Sequence, residues 1–167
     1  MKKIFSILFV TLLLFSCQPD EIPPIGEATD YIPMLTGTWK LNKFEQIDAD
    51  AESKSFPAFA TVKDLTNVFP GHPYTDFSIT FNPDGTFTAD PGSSYMQMLT
   101  SGDWEVDDTE FPSAIILSSG SETQTIALNS LADVILGKVE FKEERKQADT
   151  GKIKIKYIYS LSKTSEL

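Results

Sequence analysis

From Thr36 onward the hydrophobic positions recur at every second residue. Phe77, Ile79 and Phe81 alternate with Ser78, Thr80 and Asn82, and Phe87 and Ala89 alternate with Thr86, Thr88 and Asp90. Trp104 and Val106 are flanked by Asp103, Glu105 and Asp107. Near the C-terminus Ile153, Ile155, Tyr157, Tyr159 and Leu161 share one parity, and Lys152, Lys154 and Lys156 the other. A period of two puts apolar side chains on one face of a strand and polar ones on the opposite face, as an antiparallel sheet with one wet face requires. The pattern predicts strands over Thr38–Ile47, Asp76–Asn82, Gly85–Asp90, Gly102–Asp107, Ala114–Leu117, Thr123–Leu128, Lys138–Glu144 and Lys152–Lys163. Leu131–Leu136 is ambiguous between a strand and a short helical turn closed by Gly137.

The connections agree with this reading. In Asn82-Pro83-Asp84-Gly85 the proline pre-sets φ for the first turn position, aspartate suits the second, and glycine takes positive φ. Gly120 and Gly151 mark two further turns. Eight short sequential strands joined by hairpins predict an all-β domain: a single antiparallel up-and-down eight-stranded barrel, since closure removes exposed edges. A two-sheet sandwich is the alternative.

One connection breaks the pattern. About 28 residues separate the first two strands, long for a compact domain. Within them Ala58, Val62, Leu65 and Phe69 fall at i, i+4, i+7 and i+11, one face of a helix. Ser55 is placed to cap it, Pro57 to occupy its first turn and Pro70-Gly71 to end it. This helical insertion would lie across one end of the barrel as a lid, with Phe59, Val62, Leu65 and Phe69 as its candidate residues.

The N-terminus carries an address. Met1–Lys3 is basic and Ile4–Phe15 almost uninterruptedly apolar. About 12 helical residues reach roughly 18 Å, too short for a bilayer core of about 30 Å, so residues 1–16 read as a secretory signal peptide. Leu14-Phe15-Ser16-Cys17 resembles a bacterial lipobox, which makes Cys17 the expected lipidation site, and Cys17 is the only cysteine in the chain. A plain secreted protein with a stray thiol is the alternative. Several acyl chains, at about 0.8 kcal/mol per buried CH₂, hold a protein stably on a membrane. Gln18-Pro19-Asp20-Glu21 resembles the export signal that sends lipoproteins of the Bacteroidota to the outer face of the outer membrane, the expected location. Residues 17–35 hold Pro19, Pro23, Pro24 and Pro33 and no extended apolar pattern, and read as a tether. Residues 36–167 are the barrel domain.

Composition narrows the function. A net charge of −10 argues against a nucleic-acid partner, because such domains concentrate Lys and Arg. A single histidine, His72, sits among prolines in Phe69-Pro70-Gly71-His72-Pro73 and reads as a surface side chain rather than part of a Ser–His–Asp triad. There is neither a Gly-x-Ser-x-Gly motif nor a phosphate-cradling loop. Asp48-Ala49-Asp50-Ala51-Glu52 begins like a calcium loop, but Ser53 and Phe59 stand where that loop needs glycine and glutamate. It reads as a solvated loop, with a low-affinity calcium site as the alternative. Asp103, Glu105 and Asp107 read as a wet outer face rather than as paired catalytic carboxylates. No metal, cofactor or catalytic residue is expected.

Gly37-Thr38-Trp39, opening the first strand, matches the Gly-x-Trp of lipocalins. With the eight-stranded meander, the long first connection and the lipobox, the chain resembles the lipocalin-like lipoproteins of the Bacteroidota, many of them domains of unknown function. The Thr-Asp-Tyr motif and the arginine of the last strand are absent, and Arg145 near a predicted turn is no match. The resemblance implies binding of a small, mostly apolar molecule inside the barrel, and an eight-stranded barrel either holds one such ligand or fills with side chains. Trp39, Phe77, Phe81, Phe87, Trp104, Phe141 and Tyr157 are the candidates to line a cavity or to form the packed core. If the core is filled, the expected role is an interaction or scaffold protein docking on outer-membrane or surface-glycan machinery through Phe56, Phe59, Phe69 and Tyr74.

Overall fold

A computed structural model describes residues 29–164; the expected signal peptide, Cys17 and most of the tether lie outside the described residues. A one-turn helix, α1 (Ile32–Leu35), leads into strand β1 (Gly37–Asp48). Two more short helices follow, α2 (Ala49–Ser53) and α3 (Ala58–Thr61), then the three-residue strand β2 (Val62–Asp64). The remainder is a meander: β3 (Ser78–Phe81), β4 (Thr86–Asp90), β5 (Ser101–Val106), β6 (Ala114–Ser119), β7 (Glu122–Ser130), β8 (Lys138–Lys146) and β9 (Ile153–Lys163). Neighbours pair antiparallel in sequence order, and β9 returns to pair with β1. Strands β1 and β3–β9 thus form a closed eight-stranded barrel, the lipocalin-like architecture, with β2 as an addition to it.

The strand predictions hold because their physical causes are local. At Asn82–Gly85 the Gly85 N–H donates to the Asn82 carbonyl at 3.1 Å and Gly85 takes φ 85°. Leu131–Leu136 resolves to a 3-10 turn, Val134–Leu136, ended by Gly137 in the left-handed region. At Gly102 the barrel wall is so tight that an added Cβ would stand 2.0 Å from the Ser118 carbonyl oxygen.

β1 does the work of two strands on one edge. Its first half pairs with β3 through Gly37–Lys40, and its second half pairs with β2 through Glu45–Ile47. On the other edge it pairs with β9 along nearly its whole length, with a bulge between Leu41 and Lys43. Since β3 has only four residues, the far half of β1 takes its backbone partners from the long connection instead.

That requirement explains why the single lid helix over residues 55–69 does not form. Ser55 sits at φ 56°, a left-handed conformation that no N-cap adopts. Helix ends at Thr61, and Val62, a β-branched residue, turns extended to pair with Ile47. Phe59 projects into solvent, 90% exposed, while Leu65 is partly buried against the core. The acidic run Asp48–Glu52 likewise differs from the expected loop. Asp48 is the N-cap of α2, accepting from the Asp50 and Ala51 N–H groups at 2.9 and 3.0 Å. Lys152 and Lys156 of the β9 arm reach Asp50 and Glu52, both at 2.6 Å, and lay α2 against the barrel wall.

One end of the barrel is shut and filled. Trp39 is fully buried, its indole N–H donating to the Leu35 carbonyl at 2.6 Å, so α1 is tied across that end. Trp104 packs on Phe81 with ring centroids 4.9 Å apart and donates to the Asn82 carbonyl at 3.0 Å. Both buried indoles therefore have their one donor satisfied. The last strand supplies a cation after all: Lys163 Nζ lies 5.6 Å from the Trp39 ring centroid and donates to the Met34 carbonyl at 3.0 Å.

Packing this tight carries a stability consequence. Phe81→Ala should cost about 3–5 kcal/mol, whereas Phe59→Ala should stay within about 0.5 kcal/mol of the parent. Urea unfolding of the two variants measures the contrast, and comparable losses would contradict the assignment of a filled end.

Candidate functional site

At the end opposite Trp39 the barrel opens into a cavity of about 460 Å³. Its wall and floor include Ile126, Phe141, Tyr74 and Tyr159, with Met96 and Met98 from the loop after β4 and Gln124, Glu143 and Arg145 toward the rim. The volume lies within the few hundred Å³ typical of small-molecule sites.

Phe44 organises this end. The bulge at Leu41/Lys43 inserts one residue into β1, so the inward parity changes from Trp39 and Leu41 to Phe44 and Gln46. Phe44 then stacks on Tyr159 at 4.4 Å with 6° between the rings, and meets Tyr74 at 4.5 Å and Tyr157 at 5.7 Å. Its backbone is equally engaged. The Phe44 N–H donates to Thr66 Oγ1 at 3.0 Å, and its carbonyl accepts from the Leu65 N–H at 2.8 Å. Tyr74 N–H in turn donates to the Thr66 carbonyl at 2.9 Å. Residues 65–74 are thereby strapped to β1 where β3 is too short to reach, and the strap carries Tyr74 onto the cavity wall.

The loop between β4 and β5 forms the opposite wall. Gln124 Oε1 accepts from the Leu99 N–H at 3.0 Å, fixing the loop to β7. The strap and this loop meet in an aromatic contact: Phe69 stands edge-on to Tyr95 at 5.4 Å, and His72 lies 4.6 Å from the same ring. His72 Nδ1 bonds to the Ser93 carbonyl at 2.7 Å, and Ser93 Oγ donates to the Asp76 carboxylate. Although His72, Ser93 and Asp76 come together, the imidazole engages the serine carbonyl and not its hydroxyl. The contact clamps two loops.

Electrostatically the mouth is balanced. Arg145 pairs with Glu143 at 2.8 Å, and Lys142 pairs with Glu144 at 3.5 Å. The Tyr159 hydroxyl donates to Glu143 Oε2 at 3.4 Å. Burial, reinforced by the negative charge of Glu143, pushes the Tyr159 hydroxyl far above the ordinary tyrosine value. Burial also raises Tyr74. Both hydroxyls therefore stay protonated in any physiological medium. Among the described residues no group of three or more His, Cys, Asp or Glu side chains is placed to hold a metal ion.

Of the seven aromatic positions named from the sequence, Phe141 alone borders the cavity. Trp39, Phe81 and Trp104 fill the shut end, Phe77 and Phe87 are fully buried in the same core, and Tyr157 stands behind Phe44. Of the lid positions, Phe69 reaches the mouth through Tyr74 and Tyr95, Leu65 anchors the strap, Val62 belongs to β2, and Phe59 touches neither. Phe44 and Tyr159 were not singled out beforehand. Their signal was present as a change of apolar parity within one strand, from the odd positions Trp39 and Leu41 to the even position Phe44.

No protein-family model matches the sequence, and no curated protein is significantly similar to it. The functional reading rests on the residues themselves.

The buried Tyr159 hydroxyl gives a direct spectroscopic check. On alkaline titration followed at 295 nm, part of the tyrosine signal should appear above the ordinary tyrosine value of about 10, and Tyr159→Phe should diminish that late component. A late component unchanged in the variant would place Tyr159 in solvent and open the wall of the cavity.

Proposed function

We propose that this chain is a lipid-anchored envelope protein whose barrel takes up a small, mostly apolar molecule through its open end, without catalysis. The observation that carries the reading is the cavity of about 460 Å³ between the strap and the β4–β5 loop, floored by Ile126 and Phe141. Burying an apolar ligand there releases water from apolar surface at about 25 cal/mol per Å², and thioethers such as Met96 and Met98 adapt to irregular ligand shapes.

The anchor fits the same picture. No helix among the described residues is long and apolar enough to cross a membrane; in this reading a lipid on Cys17 is the attachment. The described chain starts at residue 29 beside α1, at the shut end. A lipid on Cys17 would hold that end toward the outer membrane and leave the mouth facing solvent. Loading and release then need no passage through the filled half of the barrel.

The second reading, a docking protein for outer-membrane or surface-glycan machinery, is favoured by one observation. Phe56 and Phe59 lie exposed beside α3, where they add nothing to the core. Of the other two aromatics named for that role, Phe69 is partly exposed at the mouth and Tyr74 is buried.

Uptake of the neutral fluorophore N-phenyl-1-naphthylamine separates the two. The chain should bind it with a fluorescence rise, and Met98→Trp, which fills the mouth, should weaken binding about tenfold or more. In cells Cys17→Ala should move the protein from the membrane fraction to the soluble one. Absence of uptake, or uptake indifferent to Met98→Trp, transfers the weight to docking through the α3 aromatics.

A further inference from the structure

The cavity sets apolar side chains such as Ile126 and Phe141 among a lining that presents more polar than apolar surface, and its polar groups divide into neutral and charged ones. Tyr74 is nine-tenths buried, lines the cavity, and its hydroxyl has no hydrogen-bond partner among the described residues. That hydroxyl keeps contact with solvent, since no buried side-chain polar atom among the described residues lacks a partner, and so it is free to donate to a bound molecule. The hydroxyl of Tyr159, whose ring also packs on Phe44, has only the long 3.4 Å contact to Glu143. Gln124 spends its carbonyl oxygen on Leu99, while its amide N–H₂ has no partner among the described residues. These are neutral hydrogen-bonding groups with unspent capacity.

The charged groups are already committed. Arg145 and Glu143 neutralise each other, as do Lys142 and Glu144. An ionised headgroup drawn into the mouth would lose hydration without finding a free counter-charge, and an anionic one would also face the Glu143 carboxylate. A hydroxyl or carbonyl loses far less hydration, and the lining offers it phenol donors at Tyr74 and Tyr159.

Resting on the uptake reading above, we infer that the ligand is a neutral amphiphile: an apolar body seated on Ile126 and Phe141, with a hydroxyl or carbonyl oxygen accepting from the Tyr74 or the Tyr159 phenol. Fatty-acid-like anions of the same size are discriminated against by the absence of a free cation. The selectivity lies in what the site withholds as much as in what it offers.

The test is displacement of N-phenyl-1-naphthylamine from the mature chain carrying Cys17→Ala, using dodecanol and dodecanoate at pH 8 below their aggregation limits. Dodecanol should displace the probe at a concentration about tenfold lower than dodecanoate. Within Tyr74→Phe, and separately within Tyr159→Phe, that ratio should shrink about fivefold, the worth of roughly one hydrogen bond. Because the readout is a ratio inside each variant, a general change in affinity does not disturb it, and either variant serves if the other fails to fold. Dodecanoate binding as well as dodecanol overturns the headgroup assignment while leaving uptake intact. A dodecanol advantage that persists in both variants overturns the role of the two phenols. No uptake of the probe at all removes the cavity reading, and this inference with it.

Discussion

The architecture turns on one extra residue in the first strand. A strand that closes a barrel must show one parity to the interior, and β1 shows two. Upstream of the bulge at Leu41/Lys43, Trp39 and Leu41 point inward and shut the barrel; downstream, Phe44 points inward and carries the mouth. Without the insertion, strict alternation would bring Lys43 into the interior and Phe44 to the surface, an arrangement that buries an unpaired charge and exposes a large ring. Asn42, the inserted residue, stays outside and bonds to the Ser162 hydroxyl on β9.

From that phase change follows a division of the barrel into a packed half and a hollow half. In the packed half, α1, Trp39 and Lys163 stack across the end, and the indole–carbonyl bond to Leu35 leaves no buried donor unpaired. In the hollow half, the same β1 edge runs past the end of β3, and the three-residue β2 and the strap bond there instead. Ion pairs from Lys152 and Lys156 to α2 locate that helix on the outer wall, but as exposed pairs they contribute little stability.

How much of this was legible in the sequence depends on the range of the forces involved. The strands were, since a period of two in Ser78–Phe81 or Ile153–Lys163 is a local imprint of burial, and Asn82–Gly85 writes its own turn chemistry. The insertion was legible in part: short helices do follow β1, but no single helix runs over residues 55–69. Ala58, Val62, Leu65 and Phe69 have helical spacing, yet Val62 is claimed by the open edge of β1, a partner distant in the fold's logic though near in sequence. The site was the least legible part. Which aromatics fill and which line a cavity depends on which end is shut, and that is decided by Leu35 reaching Trp39 and by Thr66 reaching Phe44, contacts that no periodicity records. Tyr159 sat in plain view on the inward parity of β9. Only its stacking on a ring displaced by a bulge marks it as part of the mouth.

The claim that the barrel is filled at one end and hollow at the other is most directly tested by titrating dodecanol into the isotopically labelled chain and following each backbone amide by heteronuclear NMR. The account predicts shifts concentrated at Tyr74, Met98, Ile126, Phe141 and Tyr159, with Trp39, Phe81 and Trp104 silent. Shifts centred on the two tryptophans, or spread evenly over both ends, would contradict it.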